Sequence, residues 1–399
     1  MKVLMVNKFL HPAGGAETYT FKVGRYLESQ GCRVEYFGMA HKENIVGNQW
    51  GLYGDPVDFH KKGISADLVN PLKIVSSPDA RKKVKRILEE FQPDIMHVNN
   101  FNYQLTPSIL EGAEAYRRDG KKLRIVYTAH DPQLVCPNHY LYQPGTGQVC
   151  EKCLGGNYIP CILSRCIHGS FPRSCLGALE AWYWKRRKIY GSLDVIVCPS
   201  EFIKSRLDTD PLLAPKTRVL PNFVRPVAGE KKTKGSYILY LGRYSREKGI
   251  LTLLEACREL PDIPFVFAGG GPLEDRLRET ENVKNAGFLK EQELDQMIRG
   301  ARFTVCPSEC NENCPFSVME SIMNGTPVLG AIRGGVPELI RPGKTGWLFP
   351  SGDKETLKNM IRKIWDSSEP ESLSRSCGDV HFDTIEEYGK KLIELYKGH

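Results

Sequence analysis

With 399 residues, 41% hydrophobic and 26% charged, the chain is too long for one hydrophobic core and has the composition of a soluble, two-domain globular protein rather than of a disordered or membrane-spanning one. No uncharged apolar run reaches the roughly 18 residues that a bilayer-crossing helix needs, and Met1-Lys2-Val3-Leu4-Met5-Val6-Asn7 is too short and polar for a signal peptide, so a cytoplasmic protein is expected. Thirteen cysteines in such a chain read as reduced thiols, some of them on metal, rather than as a secreted disulfide framework. The net charge of +8 includes first-half runs at 81–86, 117–124 and 182–188, which read first as solvated helix faces and second as contacts with anionic lipid or nucleic acid.

In chain order, Lys2 to Asn7 reads as an apolar strand, Pro12-Ala13-Gly14-Gly15 as a break, and Thr18 to Gln30 as a helix. Strands follow at Arg33 to Met39, Asp94 to Val98 and Leu123 to Thr128, with a helix at Asp79 to Phe91. From Pro132 to Cys175 this rhythm fails; the stretch holds six cysteines and reads as an insert. It resumes with a helix at Leu176 to Tyr190, strands at Asp194 to Cys198 and Thr217 to Pro221, and a short helix from Glu201. A polar, Lys-rich linker at 225–235 leads to a second set: strands at Tyr237 to Leu241, Phe265 to Ala268 and Phe303 to Cys306, a helix at Ile250 to Glu259, and a glycine turn at 269–271. Apolar strands alternating with amphipathic helices predict α/β architecture, two doubly wound parallel-sheet domains: residues 1–224 with an insert at about 132–175, and residues 236–376. Residues 377–399 end in a helix with one apolar stripe, expected to pack back on the first domain.

Ligands of doubly wound sheets bind at the carboxyl ends of the strands, and three second-domain loops carry the chemistry of a diphosphate site. Gly242-Arg243-Tyr244-Ser245-Arg246-Glu247-Lys248-Gly249 follows a strand; Arg243 offers a fork of donors and Lys248 a mobile point charge. Asn311-Glu312-Asn313-Cys314-Pro315-Phe316-Ser317-Val318-Met319-Glu320 puts Pro315 at the first turn of a helix, whose N–H groups at Phe316, Ser317 and Val318 form an anion site, and Glu320 one turn on, where a ribose diol suits it. Arg333-Gly334-Gly335-Val336-Pro337-Glu338 is a glycine loop able to approach a ligand closely. Each reads equally as a surface turn when taken alone.

In order and spacing these loops resemble glycosyltransferase family 4, whose members are retaining enzymes of GT-B fold. The most specific element is Glu312 and Glu320, followed by Gly325-Thr326-Pro327-Val328 and Gly334-Gly335-Val336-Pro337-Glu338. Gly14-Gly15-Ala16-Glu17, Pro93-Asp94-Ile95-Met96-His97, His130-Asp131, Pro199-Ser200 and Pro221-Asn222 support it. The resemblance implies two Rossmann-like domains facing a central cleft. It places Glu312 on the donor sugar, Glu320 on the ribose hydroxyls, Arg243 and Lys248 on the diphosphate, and His130 near the transferred sugar. Gly14 and Gly15 would line the phosphates or the acceptor, and Ala286-Gly287-Phe288-Leu289 would meet the base. Catalysis would need no metal: Glu312, His130, Arg243 and Lys248 act on a nucleotide-sugar, with UDP the expected nucleotide, and pass the sugar to a glycan or polyprenyl-linked acceptor in polysaccharide or glycoconjugate biosynthesis.

Within the insert, Cys150 and Cys153 form one Cys-x-x-Cys pair, half of a zinc site, so structural zinc and free buried thiols both remain open. A subset of family 4 is similar here, and that resemblance implies a structural zinc on Cys136, Cys150, Cys153 and Cys166, with Cys161 as alternative. Trp182 and Trp184 with the basic runs would seat the first domain against anionic lipid at the inner face of the membrane. Three other readings compete: a GT-A transferase holding metal on Asp208-Thr209-Asp210, a GT-B nucleotide-sugar epimerase, and a zinc-knuckle protein gripping nucleic acid. The last lacks aromatics spaced for base stacking and leaves the nucleotide loops unexplained, so nucleic acid is not an expected partner.

Overall fold

A computed structural model describes residues 1–56, 72–143, 145–225 and 234–398. The linker read at 225–235 lies, from 226 to 233, outside the described residues. The chain divides into two compact units: 1–146 with 150–220 and 385–399, and 147–149 with 221–384.

The first unit is built on β1 (Lys2–Val6), β2 (Arg33–Phe37), β3 (Ile95–Val98) and β4 (Arg124–Thr128). Two short strands in the insert, β5 (Tyr142–Gln143) and β6 (Gln148–Val149), precede β7 (Val195–Cys198) and β8 (Thr217–Val219). The large sheet is all parallel in the order β2-β1-β3-β4-β7-β8. Its strands are nearly continuous apolar runs because both faces are covered, β3 and β7 being buried throughout. Helices Pro78–Phe91 and Ser108–Arg118 pack on one another; Ser77 caps the first, accepting from the Ala80 N–H. The helix read at Leu176 to Tyr190 runs instead from Phe171 to Arg186, because Ser170 caps it and Pro172 occupies the first turn. The last helix, Ile385–Lys397, lies against helix Gly15–Ser29 and buries Tyr388, Leu392 and Tyr396.

The second unit holds β9 (Ile238–Arg243), β10 (Phe265–Gly270), β11 (Val283–Gly287), β12 (Phe303–Cys306), β13 (Val328–Ala331) and β14 (Gly346–Phe349). They form a parallel sheet in the order β11-β10-β9-β12-β13-β14. Sequence reading missed β11, β13 and β14; β11 has the sequence Val-Lys-Asn-Ala-Gly, without apolar alternation. The strand order reverses between β1 and β3 in the first sheet and between β9 and β12 in the second, and the loops leaving those strands are where a doubly wound sheet binds ligands.

Candidate active site

At the second unit's reversal point, the loop after β9 meets the loop after β12. The first closes in a 3₁₀ turn, Arg246–Lys248, and Gly249 follows with φ of 72°. A Cβ there would lie 2.0 Å from the Pro307 carbonyl oxygen, so only glycine lets the two loops touch. Backbone N–H groups of Glu309 and Cys310 both donate to the Glu247 carbonyl and lock them. The result is an ion pair across the reversal point: Lys248 Nζ stands 2.6 Å from Glu312 Oε1, which also accepts from Ser308 Oγ at 2.5 Å. Burial alone would push the Glu312 carboxyl up, but the Lys248 charge and these hydrogen bonds hold it below its ordinary value. Burial likewise disfavours the Lys248 ammonium, and the facing Glu312 charge overrides this to raise it. Both groups are therefore charged at neutral pH.

Glu312 is braced from behind. Gly335 N–H donates to its carbonyl at 2.7 Å, and at Gly334, with φ of 54°, a Cβ would come within 1.9 Å of the same oxygen. The Arg-Gly-Gly loop thus positions the Glu312 backbone. Pro315 sits just before helix Phe316–Met323 rather than in its first turn, as its extended ψ of 122° shows. Val318 departs from the sequence expectation: its side chain is buried in the apolar cluster with Met319 and Ile322, and its N–H donates to Pro315 O. Phe316 and Ser317 supply the N–H groups left without a partner among the described residues at this helix start. Glu320 lies on the half-exposed side with Ser317, off the buried face. Arg243 ends β9 exposed, and no ion pair engages its guanidinium among the described residues. At the end of β11, Phe288 is 93% exposed and Leu289 half-buried. Two cations and a helix start on these loops are donors of the kind an anion uses, and Glu312 balances the Lys248 charge.

In the first unit, Gly14 precedes helix Gly15–Ser29, and both glycines are exposed. Glu17 turns inward instead, accepting from Asn7 Nδ2 at 2.9 Å. Asn7, after β1, also accepts from the Asn100 N–H, joining the loops of β1 and β3 across this sheet's reversal point. Beyond β4, His130 Nε2 lies 2.8 Å from Asn99 Oδ1. The Asn99 amide donates its Nδ2 to Val6 O, so its oxygen faces the ring and the proton belongs on Nε2 of His130. Burial holds the His130 imidazole down to about 3, neutral in the physiological range. Burial also pushes the neighbouring Asp131 carboxyl up to about 6, against the opposing pull of Lys8 and the Gln133 N–H. Beneath His130 the Tyr19 ring packs edge-on, and a buried chain runs Tyr388 OH, Tyr19 OH, Thr128 Oγ1, His97 Nε2, with His97 Nδ1 reaching Tyr396 OH. Sequence reading missed Asn7, Asn99, Asp131 and Ser308 as site residues, although each stands at or just beyond a strand's carboxyl end, which is the signal that would have found them.

Five cysteines of the insert, Cys136, Cys150, Cys153, Cys161 and Cys166, line one small cavity with Pro137, Asn138 and Tyr142. None is in a disulfide. Burial pushes the Cys136 thiol up to about 11 and the Cys153 thiol up to about 12. These thiols are soft donors of the kind a divalent cation deprotonates and binds, but among the described residues no three of their sulfurs lie within 4.8 Å of one another, so they are not drawn together as a tetrahedral site requires. Asp208 and Asp210 do not form a metal motif: Asp208 accepts from Lys204 and Thr217, and Asp210 from Lys185 and the Leu212 N–H.

The solved structure of Anabaena Alr3699/HepE in complex with UDP superposes with a TM-score of 0.68 at 16% identity, covering all of both chains. Sucrose-phosphate synthase of Thermosynechococcus elongatus gives 0.67 at 18%, covering 100% of this chain and 98% of that one. These likenesses establish the GT-B fold. A protein named as a colanic acid biosynthesis glycosyltransferase, WcaL of Escherichia coli K12, is 31% identical over 188 residues, 43% of this chain and 44% of that protein. The sulfoquinovosyl transferase SQD2 of Arabidopsis thaliana is 31% identical over 142 residues, 34% of this chain and 28% of its own. The matched stretches thus span under half the length of these relatives. Residues 225–377 match the family described as glycosyl transferases group 1, and residues 13–227, more than half of the chain, match Glycosyltransferase Family 4, so the chain belongs to glycosyltransferase family 4.

Proposed function

We propose that this chain is a retaining glycosyltransferase that moves a sugar from a nucleotide-sugar, with UDP as the nucleotide, to a glycan or polyprenyl-linked acceptor in polysaccharide or glycoconjugate assembly. The observation that carries this reading is the Lys248–Glu312 pair at the second sheet's reversal point, joining a loop that begins at the exposed Arg243 to one that leads into helix Phe316–Met323. HepE, the structural neighbour, was solved with UDP and with UDP-glucose, and the relatives are named for colanic acid and sulfoquinovosyl transfer. The diphosphate would lie on Arg243, Lys248 and the Phe316 and Ser317 N–H groups; Glu320 would take the ribose, the segment at Phe288 and Leu289 the base, and Glu312 the sugar hydroxyls. As the bond from the sugar C1 to the phosphate oxygen breaks, the acceptor oxygen bonds C1 on the same face and its proton passes to a phosphate oxygen. The protein's cations stabilise the charge that develops on the leaving group, so no catalytic metal is invoked. Neutral His130, with Nε2–H held by Asn99, would orient the sugar, and the exposed Gly14-Gly15 turn would approach the phosphates or the acceptor. Thermal shift against a panel of nucleoside diphosphates and nucleotide-sugars, with and without chelator, tests the donor half: a selective rise of about 2.7 kcal/mol in stability is expected at a hundredfold excess over Kd. NMR of the product's anomeric centre tests retention, and inversion would end that part of the reading.

The insert would hold one structural zinc on Cys136, Cys150, Cys153 and Cys166, with Cys161 able to replace one of them. Four thiolates close the coordination shell, so such an ion braces the loop and leaves no position for substrate. Gently purified protein should carry close to one equivalent of zinc and lose thermal stability on chelation; under about a tenth of an equivalent would end the idea.

A further inference from the structure

The outer surface of the cysteine segment is unlike the rest of the protein. Six of the ten large hydrophobic side chains exposed among the described residues fall between 140 and 182: Tyr140, Ile159, Leu163, Phe171, Leu179 and Trp182. Two helices display five of them. The short helix Ile159–Leu163 buries Cys161 against the longer helix Phe171–Arg186, sharing a small core with Tyr158 and Ala178, and turns Ile159 and Leu163 outward at 61% and 75% exposure. On the longer helix, Pro172, Cys175, Leu179, Trp182 and Arg186 recur at intervals of three and four, one stripe opposite the buried Ser174, Gly177, Ala178 and Trp184. Its apolar side chains cover a face that water solvates at a cost and that this unit's own core does not use.

Charge surrounds this face with one sign. Between 150 and 188 the acids are Glu151 and Glu180; Glu151 is committed to Arg206 and Glu180 is buried. Lys152, Arg165, Arg173, Arg186 and Lys188 are exposed, and no ion pair engages them among the described residues. Arg186 lies over the Trp182 ring, 5.5 Å from its centroid, in the pose of an interfacial tryptophan with a cation reaching for head groups. The sequence places lipid contact on Trp182 and Trp184 with the basic runs. In the structure Trp184 is fully buried, its indole N–H donating to Val75 O, and Lys83, Lys85, Arg117 and Arg187 are each held by carboxylates, while Trp182 and Arg186 stay exposed.

We propose that this face, Ile159 and Leu163 with Leu179 and Trp182 inside a rim of Lys152, Arg165, Arg173 and Arg186, docks the protein on an anionic lipid bilayer surface. The apolar side chains enter the interface and the cations meet lipid phosphates, a shallow and salt-sensitive attachment. It stands independently of the transferase reading, because it is measured without nucleotide or acceptor.

The experiment is co-sedimentation of the full chain with phosphatidylcholine vesicles, with and without phosphatidylglycerol. Binding to the anionic vesicles is expected, weakened by salt and by omission of phosphatidylglycerol. The triple substitution Ile159→Ser, Leu163→Ser, Trp182→Ser and the separate pair Arg165→Glu, Arg173→Glu should each weaken it by at least about tenfold. Both variants should keep the parent melting temperature and any nucleotide-induced shift; if the triple variant fails to fold, the charge pair decides. A parent that ignores anionic vesicles, or variants that bind as the parent does, would overturn the proposal. A parent dimer in sedimentation velocity that the triple variant turns to monomer, without vesicle binding, would assign the face to a second copy and overturn it equally.

Discussion

Replacing Lys248 by Met separates what the ion pair does for the fold from what it does for the reaction. The substitution leaves the Glu312 carboxylate, 13% exposed, with Ser308 Oγ as its remaining side-chain partner among the described residues. Breaking a fully buried pair costs about 3–5 kcal/mol; with the Lys248 side chain 31% exposed, solvent screening brings this to about 1–2 kcal/mol. For a unit of this size that is a fall of roughly 2–8 °C in Tm. If Lys248 stabilises a departing diphosphate, kcat falls much further, on the order of 10²- to 10³-fold, as when one preorganised oxyanion donor is removed. The double variant Lys248→Met, Glu312→Gln removes the uncompensated charge as well and should recover most of the lost stability while recovering no turnover. The assay is steady-state release of nucleoside diphosphate alongside calorimetry. A single variant within threefold of the parent rate, or a double variant that regains rate together with stability, would refute a catalytic role for the pair. The sign of its pH dependence follows from the two shifts. Glu312 is lowered, so its contribution is present above the ordinary carboxylate pKa of about 4.3 and fades as pH falls through the lowered value; Lys248 is raised, so its contribution is complete below about 10.4 and fades as pH rises through the raised one.

Gly334→Ala should both destabilise the second unit, by about 1–3 kcal/mol for the left-handed backbone and the clash with Glu312 O, and lower kcat, since the relief of that clash moves Glu312; unchanged activity with lowered Tm would show that the loop only supports the fold. Burial, aided by the nearby His130, holds His97 down to about 3 against about 6.5 in an unfolded chain, so the native state binds fewer protons and stability should fall as pH drops from about 6.5 toward 3. NMR of the imidazoles should show His97 flat from pH 8 to 5, and a midpoint near 6.5 would contradict its burial.

Much of the architecture was legible along the chain. The buried strands of parallel sheets read as short apolar runs whatever they pair with, so β1, β3, β4, β7, β9, β10 and β12 stood out. Strand β11, Val-Lys-Asn-Ala-Gly, did not, because it carries no apolar run, and buried β13, Val-Leu-Gly-Ala, did not, because its run is four residues long and broken by a glycine. The residue types of the second-unit loops were legible as well: Arg243, Lys248, Glu312 and the glycine pair at 334–335 carry charge or backbone freedom that a core has no use for. Their geometry was not. That Lys248 and Glu312, 64 residues apart, form one ion pair depends on β9 and β12 being neighbours although β10 and β11 lie between them in the chain, and no local periodicity encodes strand order. The same holds for Asn99, which sets the tautomer of His130 from a neighbouring strand. Trp182 and Trp184 show the limit most plainly. Two residues apart on one helix, they differ by about 200° around its axis, so one faces water and the other the core. Sequence alone determined that this chain has two wound sheets and loops rich in charge and glycine at their carboxyl ends; only the tertiary structure decided which of those side chains meet, because contact is set by the packing of elements far apart in the chain.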